Sequence, residues 1–294
     1  MKELKLQDEA HGLSFPALVM YPTQQAPTSH AFGPYVMDVS PDAPVAPGQY
    51  PLILVSHGSG GSHLLYRSMT THLAQHGYIV AMIEHPGNNR VDNQFMGKVE
   101  NLQYRPRHLR LTADALHEDA SLGRHLQPGQ LGVIGHSMGG YAALALAGGK
   151  PWYPPEAFKP DYAGPAPTSV EVEHDDRIQA LVLLAPATVW FMPEDALKHV
   201  DVPILMLSAE HDPYTPGWHN EIVLKGVSDI TKVTSRCVKN AGHFSFLSPF
   251  PPKIKQGGAL PTTDPEGFDR EPFHEQLKQE VLTYLNLRFK SSQA

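Results

Sequence analysis

Short apolar runs recur along the chain: PLILVS (51–56), YIVAMIE (78–84), LGVIG (131–135), QALVLLA (179–185), PILMLS (203–208) and, with more polar residues, KVTSRCV (232–238). Runs of this length without polar alternation predict strands covered on both faces, as in a parallel sheet. Between the first two, Leu64, Leu65, Met69, Leu73 and Ala74 fall at helical spacing, and Gly77 follows where helices commonly end. PRHLRLTADALHEDASLGRHL predicts a helix over 106–126 with Pro106 near its start. HEQLKQEVLTYLNLRFK predicts a C-terminal amphipathic helix. The stretches LKLQDE and FPALVMYP predict antiparallel strands added at one edge. Strand and helix in alternation argue for a doubly wound α/β fold with a mostly parallel central sheet and helices on both faces.

Three segments interrupt this alternation. Residues 23–50 are rich in Pro, Ala and Thr and read as loop. Residues 148–177 gather prolines with Trp152, Tyr153, Phe158 and Tyr162, and residues 248–270 are again rich in Pro and Gly. Loops this long act either as lids and pocket walls or as plain connectors. None is long enough for a domain of its own, so residues 1–294 are expected to form a single α/β domain.

Composition narrows the function classes. The chain has 294 residues, a net charge of −7 and no dense Lys/Arg block, which argues against nucleic acid or an anionic membrane surface as partner. No apolar run approaches the length of a membrane span. The N-terminal MKELKLQDEA carries charge where a signal peptide is apolar, so a soluble cytoplasmic protein is expected, or the mature form of an exported one. The single cysteine, Cys237, gives no intrachain disulfide.

The stretch VIGHSMGGYAA carries the chemistry. Gly-x-Ser-x-Gly between an apolar strand and an alanine-rich helix is the pattern that sets a serine on a tight turn with its hydroxyl above the sheet. Ser137 is then the candidate nucleophile, and the helix start beyond it supplies free N–H groups for a developing negative charge. A serine hydroxyl needs a base, held by a carboxylate, and in this strand order both arrive later in the chain. PILMLSAEHDP offers Asp212 just past a strand end, with Glu210 as competitor; Asp212 is preferred because its shorter side chain lies further into the turn. KVTSRCVKNAGHFSF offers His243, the histidine that directly follows the last strand. SHGSGGSH (56–63) follows the first parallel strand, and its glycines let one backbone N–H face the serine. The expected oxyanion donors are therefore the N–H groups of Ser59 and Met138. The same stretch lacks the Lys-Ser/Thr of a phosphate-binding loop.

LILVSHGSGGSHLLYRSMTTHLAQHGYIVAMIEHPG, with GHSMGG and AGHFSFL, resembles the α/β-hydrolase superfamily. The nearest groups are the bacterial predicted dienelactone hydrolases and the platelet-activating-factor acetylhydrolase-like enzymes. The resemblance implies a serine esterase for short or compact acyl groups, with no metal or other cofactor. Two departures stand out. The acetylhydrolases carry their acid after the strand that follows the elbow, where this chain has LLAPATVW; true dienelactone hydrolases have cysteine where Ser137 stands.

The residues imply a small-molecule ester substrate, or a peptide-like one if the same triad cleaves amides; a non-catalytic binding protein would not need all three side chains. Trp152, Trp190, Phe191, Phe244 and Phe246 are candidates for the pocket wall or for ordinary core. His57, His136, Glu84 and His85 read as packing or hydrogen-bonding neighbours. No HExxH occurs, so a catalytic metal is not expected.

Overall fold

The computed structural model describes residues 1–290. Its strands are β1 (Lys2–Asp8), β2 (Leu13–Met20), β3 (Thr28–Phe32), β4 (Tyr35–Val39), β5 (Tyr50–Ser56), β6 (Ile79–Ile83), β7 (Leu126–His136), β8 (Trp152–Tyr153), β9 (Thr168–Ser169), β10 (Ile178–Leu184), β11 (Ile204–Ala209) and β12 (Val233–Val238). The α-helices are α1 (Arg67–Gln75), α2 (Val99–Glu118), α3 (Met138–Leu146), α4 (Trp218–Gly226), α5 (Pro252–Lys255) and α6 (Arg270–Phe289). Eight strands form one sheet in the order β1-β2-β6-β5-β7-β10-β11-β12. The pairs β1–β2 and β2–β6 are antiparallel, and every later pair is parallel.

Both faces of the central strands are dry, which explains their apolar runs; β12 departs from the expectation, because as the edge strand it leaves residues 234–237 exposed. Along β5, Leu52 and Leu54 enter the core layer beneath α2 and α3, while Ile53 and Val55 enter the layer beneath α1 and α6. Leu181 and Leu183 of β10 alternate with Val182 and Leu184 in the same way. Among the described residues, no helix is long and apolar enough to cross a membrane.

The expected helix over 106–126 starts earlier and stops sooner, at Val99–Glu118, and Pro106 lies inside it. Leu102, Pro106, Leu109, Ala113 and Leu116 are all buried and share one stripe. A proline inside a helix cannot donate to the carbonyl four residues back and pushes it aside. Here that carbonyl belongs to Leu102, and the hydroxyl of Tyr141 on α3 donates to it at 3.1 Å. An outside donor thus replaces the missing one, and the helix runs through.

Residues 23–50, expected as loop, hold the β3–β4 hairpin. Tyr35, Met37 and Val39 alternate inward from β4, a period-two signal that was present in YVMDV.

Removing the Tyr141 hydroxyl should leave the Leu102 carbonyl buried without a partner. Tyr141→Phe is therefore expected to lower unfolding stability by about 1–3 kcal/mol, read from urea denaturation.

Candidate active site

The C-terminal ends of the parallel strands lie side by side. Gly135 pairs with Ser56, and His136 pairs with Leu184, so the loops after β5, β7 and β10 emerge together. Ser137 is the single residue between β7 and α3, with φ 53° and ψ −116°. A left-handed φ is costly for any residue with a Cβ and persists only where the surroundings hold it. They do so here: Ser137 N–H donates to Leu184 O at 3.0 Å, and Ser137 O accepts from Gly140 N–H and Ala187 N–H, both at 2.9 Å. The flanking glycines are required by space. A Cβ on Gly135 would stand 2.2 Å from Gly139 O, and one on Gly139 would stand 1.9 Å from Ser56 O.

His243 opens a short 3-10 turn in the loop after β12. Its Nδ1–H donates to Asp212 Oδ2 at 2.7 Å. Asp212 also accepts from Tyr214 N–H (2.8 Å), Thr215 N–H (2.9 Å) and Thr215 Oγ1–H (2.7 Å). Burial of the carboxyl acts to raise its pKa, but the bonds from His243 and Thr215 outweigh that and bring it down to about 2. Glu210, the competing carboxylate, instead pairs with Lys239 at 2.7 Å and accepts from Asn240 N–H. With Nδ1 committed to Asp212, Nε2 is the nitrogen of His243 left for other chemistry. No hydrogen bond joins Ser137 Oγ to the His243 ring in this structure; both residues line one cavity of about 1010 Å³. In unliganded sites such bonds are often long and tighten when substrate is bound.

Ser59 also lines this cavity. Met138 is the first residue of α3, where the N–H has no acceptor within the helix. The turn is tight enough that a Cβ on Gly58 would lie 3.2 Å from Ser137 Cβ. Leu64, Leu65, Tyr66, Tyr214, Phe244 and Phe250 supply much of the apolar wall, with Glu84 and Arg90 as charged members.

Of the candidate pocket residues, only Phe244 reaches the cavity. Trp190 and Phe191 pack on Tyr141, at 5.0 and 5.3 Å between ring centroids, because Tyr141 points away from the elbow toward α2. Phe246 is buried against His136 and Phe273. Trp152 sits in the β8–β9 ribbon. Of the two long irregular segments, 248–270 contributes Phe250, Ile254, Ala259, Pro261 and Thr262 to the wall, and 148–177 contributes none. The hairpin residues Gly33, Pro34 and Tyr35 line the cavity unannounced, as do Val91 and Met96.

Several buried histidines brace the site as neutral rings. His136 Nε2–H donates to His243 O at 2.9 Å; burial, helped by the neighbouring His243, pushes its pKa down to about 3. His57 donates from Nδ1 to Gly58 O at 2.7 Å and accepts from His85 N–H at 3.0 Å. Burial lowers the pKa of both His57 and His85 well below the usual value, and that of His108 to about 3.

The first third of the chain, residues 6–113, matches the family model for platelet-activating factor acetylhydrolase, isoform II. That span includes the Ser59 loop and most of α2 but ends before the elbow. Among solved structures, a ferulic acid esterase from Streptomyces cinnamoneus superposes with a TM-score of 0.68 at 18% identity, covering 98% of this chain and 89% of that one. A 2,6-dihydroxy-pseudo-oxynicotine hydrolase gives 0.59 at 15% identity over 98% of this chain and 67% of that one. A dienelactone hydrolase from Anabaena variabilis gives 0.52 at 16% identity over 97% and 96%.

The depressed histidine pKa values set the direction of a pH effect. The unfolded chain takes up protons near pH 6.5, whereas the folded rings resist them until far lower pH. Their contribution is therefore complete above pH 6.5 and is lost as the pH falls toward 3, by about 1.4 kcal/mol per pH unit for each ring that stays neutral. Thermal melts should show a flat Tm above pH 7 and a steep decline starting near 6; a Tm unchanged down to pH 4 would contradict this. The order of strands, the elbow and the matched N-terminal third together make this an α/β-hydrolase-fold chain that resembles the platelet-activating factor acetylhydrolase and dienelactone hydrolase groups.

Proposed function

We propose that this chain is a serine hydrolase of carboxylic esters that works through an acyl-enzyme. The observation that carries the reading is the buried His243–Asp212 hydrogen bond at 2.7 Å, whose histidine shares a cavity with a serine held at φ 53°. Ser137 Oγ attacks the acyl carbon while His243 Nε2 takes its proton. Asp212 stays ionised and holds the imidazolium as it forms. The N–H groups of Ser59 and Met138 receive the tetrahedral oxyanion. His243 then returns the proton to the leaving alcohol, and water clears the acyl group by the same path. The cavity volume and its apolar wall favour an ester with one bulky apolar portion. The names of the similar ferulic acid esterase and dienelactone hydrolase agree with ester chemistry on this fold.

Ser137→Ala should cut hydrolysis of a p-nitrophenyl ester by at least ~10⁴-fold and abolish labelling by a fluorophosphonate probe. Turnover near the wild-type rate in that variant would remove Ser137 from the mechanism. Ser137→Gly should be equally inactive yet more stable by about 1 kcal/mol, because glycine adopts this φ without strain. A chemical denaturation curve shifted the other way would count against a strained elbow.

A further inference from the structure

Arg105 is fully buried in α2, and among the described residues it makes no ion pair. A guanidinium removed from water without a carboxylate is costly unless its donors are all used. Every acceptor it has is a carbonyl oxygen. Nη1 donates to His57 O at 2.6 Å, and Nη2 donates to Gly58 O at 3.3 Å and Asn88 O at 3.2 Å. Asn88 Oδ1 accepts from Nη2 at 2.8 Å and Nε at 3.1 Å, and Asn101 Oδ1 accepts from Nε at 3.3 Å.

The carbonyl of Gly58 and the N–H of Ser59 belong to one planar trans peptide, so they point in opposite directions. The carbonyl is held by Arg105 together with His57 Nδ1–H at 2.7 Å and Gly61 N–H at 3.1 Å, and holding it fixes the N–H on the opposite side, toward the cavity. The positive charge also polarises that peptide and makes its N–H a stronger donor. Asn88, itself held by Arg105, donates from Nδ2 to Ser59 Oγ at 2.9 Å. Both ends of Ser59 are thus tied to a single guanidinium.

We propose that Arg105 is the positioning residue of the oxyanion hole: from behind the 57–59 loop it aims and polarises the Ser59 N–H at the developing negative charge. This rests on the ester-hydrolase reading above. A lysine keeps the charge but cannot reproduce the planar fork.

The test compares wild type, Arg105→Lys and Asn88→Ala as full chains. It measures kcat and KM on a p-nitrophenyl ester, per active site titrated, and inhibition by a trifluoromethyl ketone, whose adduct places an oxyanion in the hole. Arg105→Lys should lose about 10²-fold in kcat, with KM within threefold and the inhibitor weakened in proportion to kcat. A purely structural role would lower the titrated fraction and leave kcat per site and the inhibitor unchanged; that outcome overturns the proposal. If Arg105→Lys does not fold, Asn88→Ala decides: roughly a tenfold fall in kcat at constant KM is expected, and an unchanged kcat overturns it. A wild-type chain that neither turns over esters nor labels with fluorophosphonate would sink the hydrolase reading instead. The crystal structure of Asn88→Ala or Arg105→Lys then still decides the geometry: a rotated Gly58–Ser59 peptide supports the proposal, and an unmoved one overturns it.

Discussion

One residue has to turn the chain from β7 into α3, and that constraint organises the rest of the molecule. A reversal this short forces Ser137 to a φ that costs energy, and the cost is met by backbone bonds from Leu184, Gly140 and Ala187. Those bonds require β10 to lie beside β7 in the register observed, and the clearance around the turn requires glycine at 135 and 139. The parallel sheet is thus the frame that makes a strained serine tenable. Burial on both faces of its central strands supplies the stability against which the strain is set.

Around the elbow, polar groups are matched with few spare partners. Asp212 is surrounded by donors, so its carboxylate stays charged although buried. The neighbouring histidines take the opposite course and remain neutral: His57 spends both ring nitrogens on backbone groups, His136 spends Nε2 on one, and His85 meets the Ser56 hydroxyl. His136 fixes the main chain of His243, and His57 fixes that of Gly58. The reactive groups proposed for the site are therefore held by buried hydrogen bonds, with Asp212 and Arg105 as the buried charges beside them and Glu84 and Arg90 on the cavity wall.

Much of this was readable in the sequence. The continuous runs at 51–56, 131–135 and 203–208 became strands because runs this short, bounded by turn residues, suit strands covered on both faces rather than a buried helix. The elbow was readable because its spacing of glycines follows from steric exclusion within five residues. Asp212 and His243 were readable from their places just beyond strand ends, and they do meet. What the sequence hid depended on distant partners. Pro106 suggested a helix start because nothing local shows that a tyrosine thirty-five positions away relieves it. Trp190 and Phe191 stood equally as pocket wall or core, because the direction of Tyr141, on which both pack, is a property of packing between helices. Arg105 carried no local signal, because its contacts to residues 57 and 58 lie almost fifty positions back.

The proline inside α2 has an effect that reaches beyond its own helix. Because it withholds an N–H, the carbonyl at 102 is left open to a phenol from α3, so the two helices are cross-linked at one point. Arg105, which grips the loop bearing one proposed oxyanion donor, stands immediately before the proline; the phenol belongs to the helix that opens with the other proposed donor. A missing hydrogen on a tertiary amide nitrogen thus becomes the pin that ties the helix of Arg105 to the helix that begins at the elbow.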